Sequence, residues 1–274
     1  MPADENQLLR FIAYAHGKSL SPATISVYLS GIAAMHTLQG IAAPTVGHRV
    51  KLALKAVQEA QISTKQKAPI TYQLFSQMWS LIQSFNNSAL LKAMLGLGFF
   101  GALRGSEYSA VVQDGAVVAP VIADIVFTKY QQAPAMVYTI KRSKTRRSPI
   151  PVAIGCTKGP CCAVCAMTEY MIQRSLEGTL HAHAYLFIDN QGRPVSKQAL
   201  NSTIKALAYQ LGLDSANYST HSLRAGAATT AHGVGLTESQ IKSLGHWASG
   251  AYYAYIRHID THSFATAQRL TQDL

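Results

Sequence analysis

The sequence predicts a mainly α-helical protein with one small antiparallel β-sheet, built as two domains. Three observations lead there. Apolar residues recur at helical spacing along most of the 274 residues. Runs rich in β-branched residues crowd into one stretch, between Val121 and Ile154. The segment from Ser63 to Pro69 is polar, basic and helix-breaking, as an interdomain linker should be. The boundary is therefore expected there, between a helical domain over residues 1–65 and a larger domain over residues 66–274.

Taken in order, residues 5 to 61 read as three or four short amphipathic helices. The clearest begins at Ser21-Pro22, a helix-initiation signal, and sends Ile25, Tyr28, Leu29, Ile32 and Met35 to one side. Another follows Thr45, with Val46, Val50, Leu54 and Val57 inward and Arg49, Lys51 and Lys55 elsewhere on its surface. That cationic side suits a phosphate backbone as well as it suits water. Beyond the linker, with its Lys65 and Lys67, residues 71 to 100 read as two helices ending among Gly96, Gly98 and Gly101. Three strands are expected from Val121 to Thr128, Ala135 to Lys141 and Ser148 to Ile154. From Cys161 the periodicity is helical again, broken by turns near Asp189 to Pro194 and Gly212 to Tyr218.

Composition narrows the partners. Lys and Arg number 24 against 13 Asp and Glu, a formal charge of +11 on a chain that is 48% apolar and only 14% charged. A selective basic excess suits a polyanion, because each neutralised phosphate releases condensed counterions; charge alone fits a generic basic protein equally. No apolar run is long enough to span a bilayer, so no membrane partner is expected. The opening MPADENQLLR carries Asp4 and Glu5 where a secretory leader is basic, so no signal peptide is expected. The cysteines, Cys156, Cys161, Cys162 and Cys165, form C-x4-C-C-x2-C. That spacing departs from the usual zinc patterns and reads as reduced thiols at a helix start, with no metal expected.

Two short segments present polar groups that a bland helix would not need: Arg104 with Glu107, and His221 with Arg224. Both pairs are i,i+3, a spacing that puts two side chains on one helix face. The surrounding Ala102, Leu103, Leu223, Ala225, Gly226, Ala227 and Ala228 are small or apolar, so these arginines should emerge from packed surroundings and need partners. Singly, each pair reads as well as a structural salt bridge. A third segment, Leu244-Gly245-His246-Trp247, lies 22 residues after Arg224, and Tyr255 follows His246 by nine.

In that order, Arg, Lys on a β-hairpin, His-x-x-Arg, Gly-His and then Tyr, the chain resembles the tyrosine recombinase (phage integrase) family over roughly residues 70 to 270. The N-terminal helices look like a compact version of the family's core-binding domain. The segments GALRGSE, YSTHSLRAGAATTA and LGHWASGAYYAYIR are most similar to recombinases of eukaryotic mobile elements, the DIRS-like, Ngaro and Crypton groups, although those relatives often carry Arg where His246 stands here. A nuclear location follows for such an element, and a cytoplasmic or nucleoid one otherwise.

The resemblance implies that Tyr255 attacks the scissile phosphate, leaving a 3′-phosphotyrosine and a free 5′-hydroxyl. Arg104, Arg224 and His246 would hold the non-bridging oxygens, His221 would take and return the phenol proton, and Glu107 would orient the set. The leaving-group proton would come from the cationic run Lys141, Arg142, Lys144, Arg146 and Arg147. Lys144 is the choice, because the family's lysine lies seven residues before a proline that corresponds to Pro151, with Lys141 the alternative. The same run also reads as a solvated hairpin or a nuclear-localisation patch. No cofactor is implied. The partner implied is double-stranded DNA, bound by homodimers on a site and by tetramers in synapsis. The tail, with Ile259, Phe264, Ala267 and Leu270 at roughly helical spacing, would dock on a neighbouring protomer or pack in cis. Two rivals stand beside this reading: a type IB topoisomerase, and a domesticated DNA-binding protein without activity.

Overall fold

The computed structural model describes residues 2–60, 67–141, 148–247 and 250–254. Lys65, Arg142, Lys144, Arg146, Arg147, Tyr255 and the tail residues Ile259, Phe264, Ala267 and Leu270 lie outside the described residues. The chain divides into two compact units, Met1–Gln66 and Lys67–Leu274.

In the first unit, α1 (Glu5–Gly17) starts at a capping box. Asp4 accepts from Gln7 N at 2.7 Å, and the Gln7 side chain accepts from Asp4 N at 2.9 Å. Ser21 caps α2 (Pro22–Leu38), with Pro22 at the first helical position as expected. A 3₁₀ turn at Pro44–Val46 leads into α3 (His48–Ala60). The three helices close on Leu8, Ile12, Ala15, Ile25, Leu29, Val50 and Val57.

Three expected core residues are exposed: Tyr28 at 51%, Met35 at 57% and Val46 at 69%. The apolar residues of α2 surround much of its circumference, so periodicity alone leaves its buried face open. The face that wins runs through Ile25, Leu29 and Ile32 to His36, whose Nε2 accepts the Ala3 N–H at 3.0 Å. Val46 is exposed because Pro44 holds it in the 3₁₀ turn, ahead of the helix. Arg49, Lys51 and Lys55 do lie on the solvent side of α3, Arg49 within 3.8 Å of Glu5 and Lys55 within 3.7 Å of Glu59.

The second unit opens with α4 (Tyr72–Ile82) and α5 (Ser88–Phe100), the two helices the sequence predicts. Helix α5 is buried on every side from Ala89 to Phe99, and Phe99 stacks on Phe75 at 4.4 Å between ring centres. A short α6 (Gly105–Tyr108) follows. Strands β1 (Val111–Gln113) and β2 (Ala116–Val118) then pair in a hairpin that the sequence reading omitted. Its turn is Asp114-Gly115, with φ of +50° and +78°, a residue pair that suits such a turn.

Strands β3 (Ile125–Tyr130), β4 (Ala133–Ile140) and β5 (Ile150–Gly155) form the expected antiparallel sheet in that order, with Ile125 opposite Tyr138 and Thr139 opposite Pro151. The first strand begins later than expected. Ile122–Asp124 make a 3₁₀ turn, closed by the Asp124 carboxylate accepting from Val121 N at 2.9 Å. Helices α7 (Ala163–Leu176), α8 (Lys197–Gln210), α9 (Thr220–Gly233) and α10 (Glu238–Leu244) follow, with a 3₁₀ turn at Gly250–Ala254. Helix α7 lies against α5 so closely that a Cβ on Gly96 would sit 3.1 Å from Ala163.

Candidate active site

Helix α9 is the axis of the site. Ser219 caps it, accepting the His221 N–H at 3.2 Å, while the Asn201 side chain accepts the Thr220 N–H at 2.7 Å. The segment after the linker lies along this helix. Ala68 N donates to Asn217 O at 2.8 Å, Ile70 N to Ser222 O at 2.9 Å and Tyr72 N to Thr230 Oγ1 at 3.0 Å. Such closeness needs Gly226, since a Cβ there would fall 1.7 Å from the Ile70 carbonyl oxygen.

Arg224 projects from this packed helix and is 1% exposed. Its guanidinium donates to the carbonyl of Ala102 and, at 2.7 Å, to the carbonyl of Gly245, and it lies 4.3 Å from the centre of the Trp247 ring. One buried cation thus ties together segments 122 and 21 residues away. Neutral carbonyls and an aromatic face help to solvate the charge. Ala102 and His246 hold φ of +44° and +54°, left-handed conformations that cost non-glycine residues of order 1–3 kcal/mol. Both sit where the chain turns a carbonyl toward Arg224.

Arg104 stands two residues after one of those carbonyls. The expected placement of Arg104 and Glu107 on one helical face is corrected in detail: Arg104 is the extended N-cap of α6, and Glu107 reaches back to it. One Glu107 oxygen accepts from the Arg104 guanidinium at 2.8 Å, and the other from the Arg104 backbone N–H at 2.8 Å. The Glu107 side chain is 4% exposed and that of Arg104 25%, so the pair is anchored at the acid and open at the guanidinium. Tyr138 on β4 donates to the Glu107 carbonyl at 2.7 Å, fixing α6 to the sheet. A Cβ on Gly105 would strike Thr220 at 2.5 Å, so the starts of α6 and α9 touch.

His221 lies on the exposed side of the first turn of α9. Partial desolvation, then the positive charges of Arg224, Lys197 and Arg104, pull its pKa below the ordinary imidazole value. The imidazole is therefore neutral near pH 7 and able to accept a proton. Lys197 was absent from the sequence reading. It opens α8 directly behind the Ser196 cap, and its backbone N–H donates to Ala110 O at 3.1 Å, close behind α6. The signal available in sequence was Ser196-Lys197 at a helix start, indistinguishable there from an ordinary solvated lysine.

Of the tyrosines beside the nucleophile position, Tyr252 is 1% exposed and packs on Trp247, and burial pushes its phenol pKa up. Tyr253 is 57% exposed, stacks on Tyr252 at 4.3 Å between ring centres and donates to Glu238 at 3.4 Å. Both lie in the 3₁₀ turn at Gly250–Ala254. Lys141, the alternative catalytic lysine, is ion-paired with the buried Asp124 carboxylate. Lys67 donates its ammonium to the Ala216 carbonyl.

The structure thus gathers Arg104 and Glu107 at α6, His221 and Arg224 on α9 and the Gly245-His246-Trp247 turn after α10, three segments in all. Outside this cluster it also brings three of the four cysteines together: the Sγ atoms of Cys156, Cys162 and Cys165 lie within 4.8 Å of one another. The linear spacing gave no sign of that.

A model of the phage integrase family matches residues 74–262. No curated protein sequence matches the chain. Among solved structures, the chain is similar to the Tn1549 transposon integrase in complex with circular intermediate DNA, with a TM-score of 0.57 and 13% identity over 97% of this chain and 85% of that one. It is similar to the XerH site-specific recombinase bound to palindromic difH substrate, with a TM-score of 0.63 and 16% identity over 98% of this chain and 70% of that one. A lambda integrase dimer bound to a COC′ core site matches with a TM-score of 0.59 and 12% identity over 94% of this chain and 66% of that one.

Proposed function

The chain belongs to the phage integrase family, the tyrosine recombinases, and we propose that it cleaves and rejoins DNA strands at specific sites through a 3′-phosphotyrosine intermediate. The observation that carries this reading is the Arg224 guanidinium holding the Ala102 and Gly245 carbonyls, which knits three motif segments into one cationic site. Tyr255 is the nucleophile in this reading: its oxygen forms a bond to phosphorus as the bond to the 5′-oxygen breaks. His221, neutral near pH 7, takes the phenol proton, and Lys144 supplies a proton to the departing 5′-oxygen. Religation runs the same steps backward, so the bond energy is kept and no nucleotide cofactor is needed.

Arg104, Arg224 and His246 stabilise the extra negative charge on the non-bridging oxygens as the phosphorane forms. Glu107 positions Arg104. Cationic side chains supply what Mg2+ supplies in other phosphoryl transfers, so covalent adducts should form in EDTA at temperatures where the protein stays folded. The first unit acts as a core-binding domain that meets DNA through Arg49, Lys51 and Lys55, with Lys65 and Lys67 in the linker and Lys141, Arg142, Arg146 and Arg147 at the hairpin. The partner is duplex DNA, bound by dimers that pair as tetramers in synapsis. The segments GALRGSE and LGHWASGAYYAYIR support a place among recombinases of eukaryotic mobile elements, and with it a nuclear location.

The test is trapping on a nicked duplex that loses its 5′-hydroxyl fragment after cleavage. Wild-type protein and the Tyr252→Phe and Tyr253→Phe variants should accumulate a covalent 3′ adduct. Tyr255→Phe should bind the duplex and leave no adduct. An adduct mapped to Tyr252 would move the nucleophile, and no adduct from wild-type protein on its own target would favour a DNA-binding protein without activity.

A further inference from the structure

We propose that Cys156, Cys162 and Cys165 form a thiolate site for a thiophilic d10 metal ion, Zn2+ being the ordinary occupant, which clamps the end of β5 to the start of α7. Cys156 follows the last residue of β5 directly, and its backbone N–H donates to Pro134 O at 2.9 Å, anchoring it to the start of β4. Cys162 is the N-cap of α7, and its sulfur accepts the Cys165 N–H at 3.4 Å. The loop between them turns back through Lys158 at φ +54°, a left-handed residue that brings the two ends of the loop together.

The sulfur geometry suits a metal better than a disulfide or simple packing. Cys156 Sγ lies 3.4 Å from Cys162 Sγ and 3.8 Å from Cys165 Sγ, and all three fall within 4.8 Å of one another. Zinc–sulfur bonds of about 2.3 Å directed to tetrahedral corners put neighbouring sulfurs about 3.8 Å apart. A disulfide would need them at about 2.0 Å, and all four cysteines are free thiols. Three soft donors and no oxygen donor among them favour Zn2+ over Mg2+ or Ca2+. Each thiol gives up its proton to the solvent as it ligates. Cys165 is exposed, so the fourth corner of the tetrahedron opens toward water. Cys161 takes no part: it is buried and stands outside the group of three close sulfurs.

The proposed ion would be structural, since its ligands come from elements that carry none of Arg104, His221, Arg224 or His246. The probes are Zn2+ and Co2+ added to the full-length protein after reduction and chelation. One equivalent of Zn2+ should bind and raise the melting midpoint. Co2+ should give the thiolate-to-metal charge-transfer absorption and strong visible bands of tetrahedral sulfur ligation. Cys156→Ser, Cys162→Ser and Cys165→Ser should each weaken binding at least tenfold, whereas Cys161→Ser should bind as wild type does. Far-ultraviolet circular dichroism of the metal-free variants separates lost ligation from lost folding. Failure of the reduced wild-type protein to bind Zn2+, or full binding by the Cys156→Ser and Cys162→Ser variants, would overturn the proposal. So would octahedral Co2+ spectra. Retained adduct formation at low temperature in the metal-free protein is expected, and its loss there would overturn the structural role.

Discussion

The two arginines of the site have the same charge and opposite surroundings. Arg224 is almost wholly buried and holds two backbone carbonyls and the face of an indole ring. Arg104 is one-quarter exposed and faces a carboxylate that is itself buried. A guanidinium among carbonyls keeps its charge and holds backbone segments in register, so Arg224 is a tie of the fold as well as the proposed catalytic group. A guanidinium on a carboxylate gives up part of its field but gains a fixed direction, with its open side toward solvent. The difference separates what each should cost when changed: fold and chemistry together at Arg224, chemistry nearly alone at Arg104.

The sharpest way to break that contrast is Arg224→Lys. Lysine cannot reach two carbonyls with a planar fork, so this variant should lose at least about 2 kcal/mol of stability, the scale of one hydrogen bond to a charged group. Adduct formation should fall by more than about 10²-fold. A melting midpoint equal to that of wild type would show that the two carbonyls do not depend on the guanidinium.

At Arg104 the same substitution should lower adduct formation by about 10²-fold while the midpoint barely moves, because a lysine can still pair with Glu107. Equal destabilisation at both positions, measured by chemical denaturation, would erase the distinction. Glu107→Gln is smaller again: the amide still accepts one bond, so a loss of about tenfold in rate is expected with wild-type DNA affinity. A matching loss of affinity would mean that Glu107 shapes the DNA surface rather than Arg104.

Acidity tests the charges that both arginines share with His221. Its pKa lies below the usual imidazole value, so the neutral, proton-accepting form persists to lower pH than in a free imidazole. The rate should fall on the acid side, as His221 becomes protonated, at a lower pH than a free imidazole would give. Lys197→Met removes one cation and should move that acid limb upward. An unmoved limb would remove Lys197 from the electrostatics of the site. Smallest for the chemistry is Arg146→Ala with Arg147→Ala. The plot of log affinity against log salt should flatten by about two charges, with cleavage at saturating protein unchanged.

Much of this was legible in the sequence, for physical reasons that differ by element. The Ser21-Pro22 helix start and the three-strand sheet were readable because capping chemistry and β-rich runs are local signals. Arg104, His221, Arg224 and His246 were readable because their order matches a known family, and a small, apolar neighbourhood already implied burial for Arg224. The outward turn of Tyr28 and Met35 was not, because a helix apolar on several sides chooses its face only when its neighbours arrive. Lys197 and the cysteine cluster were hidden for a related reason: chain reversals bring these side chains together, and linear spacing does not record reversals.

The hydrogen bonds along α9 also set a timetable for the newborn chain. Ile70 leaves the ribosome early, yet its partner Ser222 and the Gly226 notch that admits its carbonyl are made some 150 residues later. Ala102 likewise waits for Arg224, 122 residues on. Contacts so far apart in sequence form late, after the long intervening loop has been closed. A product truncated before α9 therefore has Arg104 on its Glu107 partner but lacks Arg224 and the helix start that Gly105 packs against. The site is in this way expected to assemble only when synthesis is nearly finished, a sequence of events that protease digestion of ribosome-arrested chains of increasing length would reveal.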